Sequence, residues 1–139
     1  MDATSNLKLI NYIVEKSHFD LNCRYDFGKP RKIQITPKFD RRIEKKSDDS
    51  FKLTLSVRIA SDLQKDEIPF FAECVIGAVF KMSDWEKPEN KFYVCNNTTA
   101  IIFPFLRALL ANTTINANLP PYTLPVMNIN KLFETQEIV

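Results

Sequence analysis

The sequence predicts an α+β fold in which a four-stranded antiparallel sheet is followed by a long helix and a short C-terminal helix. Two patterns carry this prediction: apolar and polar residues alternate strictly over residues 51–60, and residues 100–111 are apolar on every side of a helical cylinder. Strand-like segments precede helix-like segments along the chain, an order typical of α+β domains. At 139 residues, the chain is expected to form one domain over residues 1–139.

Four segments have the composition of β-strands. Residues 7–21 are rich in β-branched and aromatic residues, which suits a strand that is solvated on one face and partly covered on the other. In residues 51–60 and 70–82 every second residue is apolar, so one face of each strand should be buried, with Cys74 as a small core residue. Residues 91–95, KFYVC, are expected to form a short last strand.

Residues 22–50 form a long stretch in which Gly28, Pro30 and Pro37 are expected to exclude a regular element. Four residues of this stretch are too apolar for a loop that is merely solvated: Phe27, Ile33, Ile35 and Phe39. Loops of this length in small domains are usually functional or disordered. The four residues therefore either line a binding groove or pack on the core and hold the loop down.

The helix predicted after the sheet has no polar face. Asn97 or Thr98 is expected to cap it, since a short side-chain oxygen accepts from the free N–H groups of the first turn. A helix that is apolar all round must be buried all round, and at about a dozen residues it is too short to span a membrane. We therefore expect one side to pack on the sheet and another on a second copy of the chain. The residues expected at this oligomer interface are Ile101, Ile102, Phe105, Leu106, Leu109 and Leu110.

The C-terminal part of the chain carries a motif with a fixed spacing. The motif runs Ile102-Phe103-Pro104-Phe105-x-Arg107, then Leu119-Pro120, then Leu124, and then Asn128-Ile129-Asn130-x-Leu132-Phe133. In residue types and spacing, residues 97–133 resemble the C-terminal half of the SecB family of export chaperones, and the rest of the chain resembles that family more loosely. The resemblance implies a SecB-like fold, a homotetramer built as a dimer of dimers in which the long helices meet, and a holdase that binds unfolded polypeptides.

The resemblance also implies a client-binding groove between the loop and the C-terminal helix. Adaptable apolar and methionine side chains suit the promiscuous binding of unfolded chains. The groove residues expected by position are Phe27, Ile33, Ile35 and Phe39, and those expected by motif are Leu124, Met127, Ile129, Leu132 and Phe133. The competing interpretation of the C-terminal set is packing in the core.

Charge is unevenly distributed, although the net charge is only +2. Residues 29–46 contain eight basic and two acidic side chains, a local charge of +6, so the remainder sums to −4. Such a run can follow phosphates, yet it is more often a solvated face, and Phe39 is the one residue within it suited to stacking on a base. We therefore expect no nucleic-acid partner, and a nucleic-acid-binding module through residues 29–46 is the least favoured alternative.

The charge pattern also bears on the client. Export members of the SecB family are acidic, and their sheet face and tail dock the translocation ATPase. Here Lys52 and Arg58 point outward from the clearest strand and only ETQEIV follows Phe133, which makes docking to that ATPase doubtful. The charge instead favours a chaperone dedicated to an aggregation-prone antitoxin, as some members of the family are. The alternative from another class is an assembly protein that uses the same apolar surface for one folded partner.

The sequence contains no constellation for catalysis or metal binding. There is no glycine-rich phosphate loop, no HExxH and no GxSxG. The three cysteines, Cys23, Cys74 and Cys95, are far apart, and His18 is the only histidine. We expect neither an enzyme nor a cofactor or metal. The N-terminal sequence MDATSNLK lacks the apolar core of a signal peptide, which predicts a cytoplasmic protein with no membrane insertion.

Overall fold

One four-stranded antiparallel sheet and one long helix make up most of the chain. In the computed structural model the described residues are 7–23, 25–28, 35–59, 68–124 and 129–133. The elements are β1 (Lys8–Leu21), β2 (Lys38–Ser47), β3 (Ser50–Ile59), β4 (Phe70–Lys81), α1 (Pro88–Asn116) and a C-terminal 3₁₀ helix (Ile129–Phe133). The strand order is β1-β4-β3-β2 and every neighbouring pair is antiparallel. The predicted α+β class, with a sheet followed by a long and a short helix, is confirmed.

The core lies between one face of β3 and β4 and the long helix α1. Alternate residues of β3, from Phe51 to Ile59, are almost completely buried, and the register places them opposite the buried residues of β4, from Ala72 to Phe80. Cys74 is among them, as predicted. The alternation seen in the sequence is thus the alternation between a covered and a solvated face of the sheet.

Two predictions about individual elements are wrong. The fourth strand is β2, which lies within the stretch expected to be irregular, whereas residues 91–95 belong to α1. Pro37 directly precedes β2, so its missing N–H removes no ladder hydrogen bond from the strand. Pro88 lies in the first turn of α1, where its fixed φ suits a helix. The strand propensity of KFYVC is overridden because Val94 and Cys95 are buried in the fold.

The helix α1 is also longer than expected, with 29 residues. Its N-cap is Lys87, and the Thr98 hydroxyl instead donates to the Val94 carbonyl one turn earlier, at 2.7 Å. By length and composition a helix like this could cross a membrane, so the prediction that α1 is too short to span one is wrong. The core helix of a soluble protein passes the same test, and nine residues of α1 are buried in the fold.

The edge strand β1 is more exposed than predicted. Of its 14 residues only Phe19 is partly covered, because α1 lies mainly over β3 and β4. Its pairing with β4 is interrupted by two irregularities, between Leu9 and Asn11 and between Val14 and Lys16. An exposed apolar edge strand is a ready site for association with another chain.

The burial of α1 on the sheet predicts that substitutions at two aliphatic residues of this helix lower the free energy of unfolding by very different amounts. Leu106 is fully buried and Ile115 is exposed. We expect Leu106→Ala to lower the free energy of unfolding by about 2–5 kcal/mol, because it removes apolar contacts and leaves a cavity. Ile115→Ala should change it by only about 0.5 kcal/mol. Urea unfolding at one fixed protein concentration measures both, and equal losses would contradict this placement of α1.

Candidate functional site: the seam between β2 and α1

The inner face of β2 and the side of α1 form a seam along one edge of the sheet. The register places Phe39, Arg41, Ile43 and Lys45 on the same face as the buried residues of β3. The Phe39 ring packs edge-on against Phe103 of α1, with 5.9 Å between the ring centroids. Because β2 is an edge strand beside α1, these side chains can contact both the helix and any segment that lies in the seam.

Arg41 is the polar centre of the seam. Its guanidinium donates to the Cys95 carbonyl at 3.3 Å and to the Thr99 hydroxyl at 3.1 Å, which ties β2 to α1. It also donates to the side-chain oxygen of Asn130 at 3.3 Å and lies over the Phe133 ring, 4.5 Å from its centroid. Burial lowers the pKa of Arg41 from its ordinary value, but an arginine remains charged at neutral pH.

The C-terminal 3₁₀ helix is held in the seam by these contacts. The Asn130 amide donates to the Asn96 carbonyl of α1 at 3.0 Å, so Asn130 bridges the helix and Arg41. Ile129 and Phe133 are buried, as is Leu124 before them. These three residues, predicted to line the client groove, are therefore part of the core of the chain, as the competing interpretation of the sequence had it. Met127 and the Leu132 side chain lie outside what the structure describes.

The predicted loop residues occupy different environments. Phe27 is 53% exposed, with its ring set edge-on against Tyr25 at 4.9 Å. Ile35 and Phe39 are partly buried against the core, and Ile33 lies outside the described residues. Phe27 is thus the predicted groove residue with the largest free surface in the described part of the chain. Contact of any of these residues with a client stays a prediction.

The predicted oligomer interface divides into two groups. Ile102, Leu106 and Leu110 are buried within the chain, and Leu109 is partly buried. Ile101 and Phe105 remain 39% and 38% exposed. They sit on the side of α1 that faces β1, where the Tyr12 ring lies 4.6 Å from the Phe105 ring.

The part that β1 contributes to this region was not predicted from the sequence. The register pairs Leu9, Tyr12 and Val14 with buried residues of β4, so they share the inner face of the sheet, yet all three are exposed. We refer to Leu9, Tyr12, Val14, Ile101 and Phe105 together as the β1–α1 surface. Arg41 was also missed, although an arginine at an inward-facing position of a strand is a detectable signal once the strand is known.

The described residues offer little for catalysis. No group of three or more His, Cys, Asp or Glu side chains that could hold a metal occurs among them. Burial raises the pKa of the thiols of Cys74 and Cys95, which keeps both in the unreactive protonated form at neutral pH. The site is made of apolar side chains and one arginine, a composition suited to binding.

Comparison with known proteins identifies the class. A sequence model of the family described as preprotein translocase subunit SecB matches residues 10–138. The chain therefore belongs to the SecB family.

Individual relatives agree with this assignment. The chain is 30% identical over 125 residues to protein MJ0357 of Methanocaldococcus jannaschii, covering 88% of this chain and 79% of that protein. It is 30% identical over 90 residues to the protein-export protein SecB of Anaplasma phagocytophilum, covering 62% of this chain and 56% of that one. The SecB of Saccharophagus degradans is 23% identical over 66% of this chain and 55% of its own. The chain thus spans little more than half the length of these two SecB proteins.

A solved structure shows the same fold. The SecB-like chaperone of Mycobacterium tuberculosis, in complex with a ChAD peptide from the HigA1 antitoxin, superposes with a TM-score of 0.72 at 13% sequence identity. The similarity covers 89% of this chain and 92% of that one. The sequence resemblance to the SecB family and the SecB-like fold are thereby both confirmed.

The role of Arg41 can be tested against its neighbour in the same strand. Arg41→Ala removes the hydrogen bonds to α1 and to Asn130, whereas Arg42→Ala removes only an exposed ion pair with Glu44. Losing a partly buried charged donor of this kind costs about 1–2 kcal/mol, so amide hydrogen exchange in residues 129–133 should accelerate about tenfold in Arg41→Ala. Arg42→Ala should leave it unchanged. Equal exchange in both variants would show that Arg41 does not hold the C-terminal 3₁₀ helix.

Proposed function

We propose that this chain is a SecB-like holdase that binds unfolded or aggregation-prone polypeptides through apolar surfaces. Membership of the SecB family supports this proposal, and so does one observation on the fold. Eleven large hydrophobic side chains are exposed among the described residues. Exposed apolar area of this extent marks interaction surfaces in a soluble protein.

The client we propose is an aggregation-prone protein such as an antitoxin, and not a preprotein handed to the translocation ATPase. The outward face of the sheet carries charges of both signs that pair with one another. Lys52 forms an ion pair with Glu15 at 2.5 Å, and Lys16 pairs with Glu73. A face neutralised in this way lacks the acidic field that docking of a basic partner needs. Tight binding of the translocation ATPase at physiological salt would contradict this part of the proposal.

We further propose that copies of the chain assemble through the β1–α1 surface, into the tetramer that the family resemblance implies. The surface combines an uncovered edge strand with two partly exposed apolar residues of α1, and the Tyr12–Phe105 contact joins the two elements. Burying such a surface against a second copy recovers apolar area that one chain leaves in water. The assembled chaperone would act in the cytoplasm without an enzymatic step.

The holdase function predicts direct binding of a labelled, permanently unfolded polypeptide. Binding should survive high salt and an excess of single-stranded DNA, because apolar contacts are insensitive to both. Phe27→Ser should weaken the affinity by about three- to tenfold, since part of a phenylalanine is no longer buried on binding. Phe92→Ser changes an exposed phenylalanine on α1 that is not among the predicted groove residues, so it serves as the matched control and should leave the affinity unchanged. Fluorescence anisotropy measures the affinity of the unaltered protein and of both variants for the labelled polypeptide.

Other outcomes of this titration favour the alternatives. Binding erased by salt and DNA would indicate a basic surface such as residues 29–46. No binding at all would leave a protein that recognises one folded partner. Either result would overturn the proposed holdase.

The oligomer proposal predicts that a charge on the β1–α1 surface dissociates the assembly. Phe105→Asp should reduce the mass measured by light scattering towards the 16.1 kDa of one chain. The reason is that an aspartate buried at an apolar interface has no partner for its charge. Phe92→Asp, at another exposed phenylalanine of α1, should keep the mass of the unaltered protein. An unaltered protein that already runs as a monomer, or a Phe105→Asp variant of unchanged mass, would contradict the proposal.

A further inference from the structure

The seam between β2 and α1 contains an open cavity. Its volume is about 330 Å³, within the range of small binding pockets. The lining residues are Ile43, Lys45, Trp85, Glu86, Lys91, Val94 and Cys95. None of them belongs to the groove or interface residues predicted from the sequence.

The wall of this cavity is apolar with a basic rim. Ile43, Trp85 and Val94 supply the apolar part. Lys45 at the rim is paired with Glu86 at 2.8 Å, while Lys91 forms no ion pair within the described part of the chain. Arg41 lies two residues before Ile43 on the same face of β2 and donates only to neutral acceptors within the described part of the chain. Lys91 therefore gives the rim of the cavity one positive charge that no described acidic residue pairs with, next to an apolar surface.

The segment that occupies part of the seam indicates which kind of peptide the seam can bind. On one side of Arg41 it holds the chain's own C-terminal 3₁₀ helix, through the apolar side chains of Ile129 and Phe133 and a polar contact from Asn130. On the other side lies the cavity, and Cys95 belongs to both halves, because it lines the cavity and its carbonyl accepts from Arg41. The cavity thus adjoins the part of the seam that holds an apolar segment of the chain itself.

We propose that this cavity is a subsite for an apolar client side chain that is flanked by a carboxylate. The side chain fills the space between Ile43, Trp85 and Val94, and the neighbouring aspartate or glutamate of the client meets Lys91. This subsite rests on the proposed holdase function and specifies which segments of an unfolded chain are preferred.

The preference can be measured with two short unfolded peptides that share a central leucine and differ only in its neighbours, acidic in one and lysine in the other. The unaltered protein should bind the acidic peptide about two- to fivefold more tightly, the range expected for one exposed ion pair. Lys91→Glu should abolish or reverse this preference. Lys8→Glu, an equal change of charge on the exposed strand β1, should preserve it.

The position of the peptide can be read from Cys95. Cys23 is exposed and is replaced by serine, which leaves Cys95 in the cavity wall and Cys74 in the core. Burial raises the pKa of both remaining thiols, so alkylation is followed at about pH 8.5. The acidic peptide should slow alkylation of Cys95 and leave Cys74 unaffected, since Cys74 reports only on opening of the whole fold. Ile43→Trp should fill the cavity and abolish the protection, whereas Ile43→Val should retain it.

The outcomes separate this inference from the proposed function. Binding of an unfolded polypeptide without charge preference or without protection of Cys95 would overturn the subsite and leave the holdase intact. Preference and protection by the acidic peptide, together with no binding of a long unfolded chain, would support the subsite and overturn the holdase. Protection that persists in Ile43→Trp would also overturn the subsite.

Discussion

The packing of one helix on a four-stranded sheet determines where the functional surfaces of this protein lie. A helix is about 10–12 Å across, while four strands spaced about 4.8 Å apart present a wider face. The helix α1 therefore covers β3 and β4 and leaves the inner faces of β1 and β2 beside it. Each uncovered flank carries apolar residues that one chain alone cannot fully remove from water. Both candidate surfaces follow from this single mismatch in width.

The two flanks are completed in different ways. On the β2 side the chain supplies its own cover, because the C-terminal 3₁₀ helix places Ile129 and Phe133 in the seam and Arg41 bonds to Asn130. This cover is incomplete, and the cavity beside Trp85 is the remainder. On the β1 side no described segment provides such a cover, and Tyr12 and Phe105 pack against each other while remaining partly exposed. One flank thus suits a polypeptide segment, and the other suits a second copy of the chain.

The candidate site was predictable only in part. The motif at residues 119–133 left two interpretations of its apolar residues open, because spacing cannot distinguish a residue that faces a client from one that faces the core. Leu124, Ile129 and Phe133 all face the core. Arg41 and Trp85 escaped notice because their significance depends on neighbours more than thirty residues away in the sequence. The apolar residues of β1 were noticed, but their exposure follows from how far α1 reaches across the sheet.

Local pattern by itself determined the class of fold, the strands β1, β3 and β4, and the apolar character of α1, because alternation and composition reflect which faces a segment must bury. Only the tertiary structure decided that β2 is a strand and that residues 91–95 are helical. In β2 the inward positions include Arg41 and Lys45, whose charges conceal the alternation until α1 and Glu86 provide their partners. In residues 91–95 the packing of Val94 and Cys95 in the fold outweighs a local preference for strand. Short-range propensity is weak where long-range contacts decide the burial of a residue, and these two segments are where such contacts dominate.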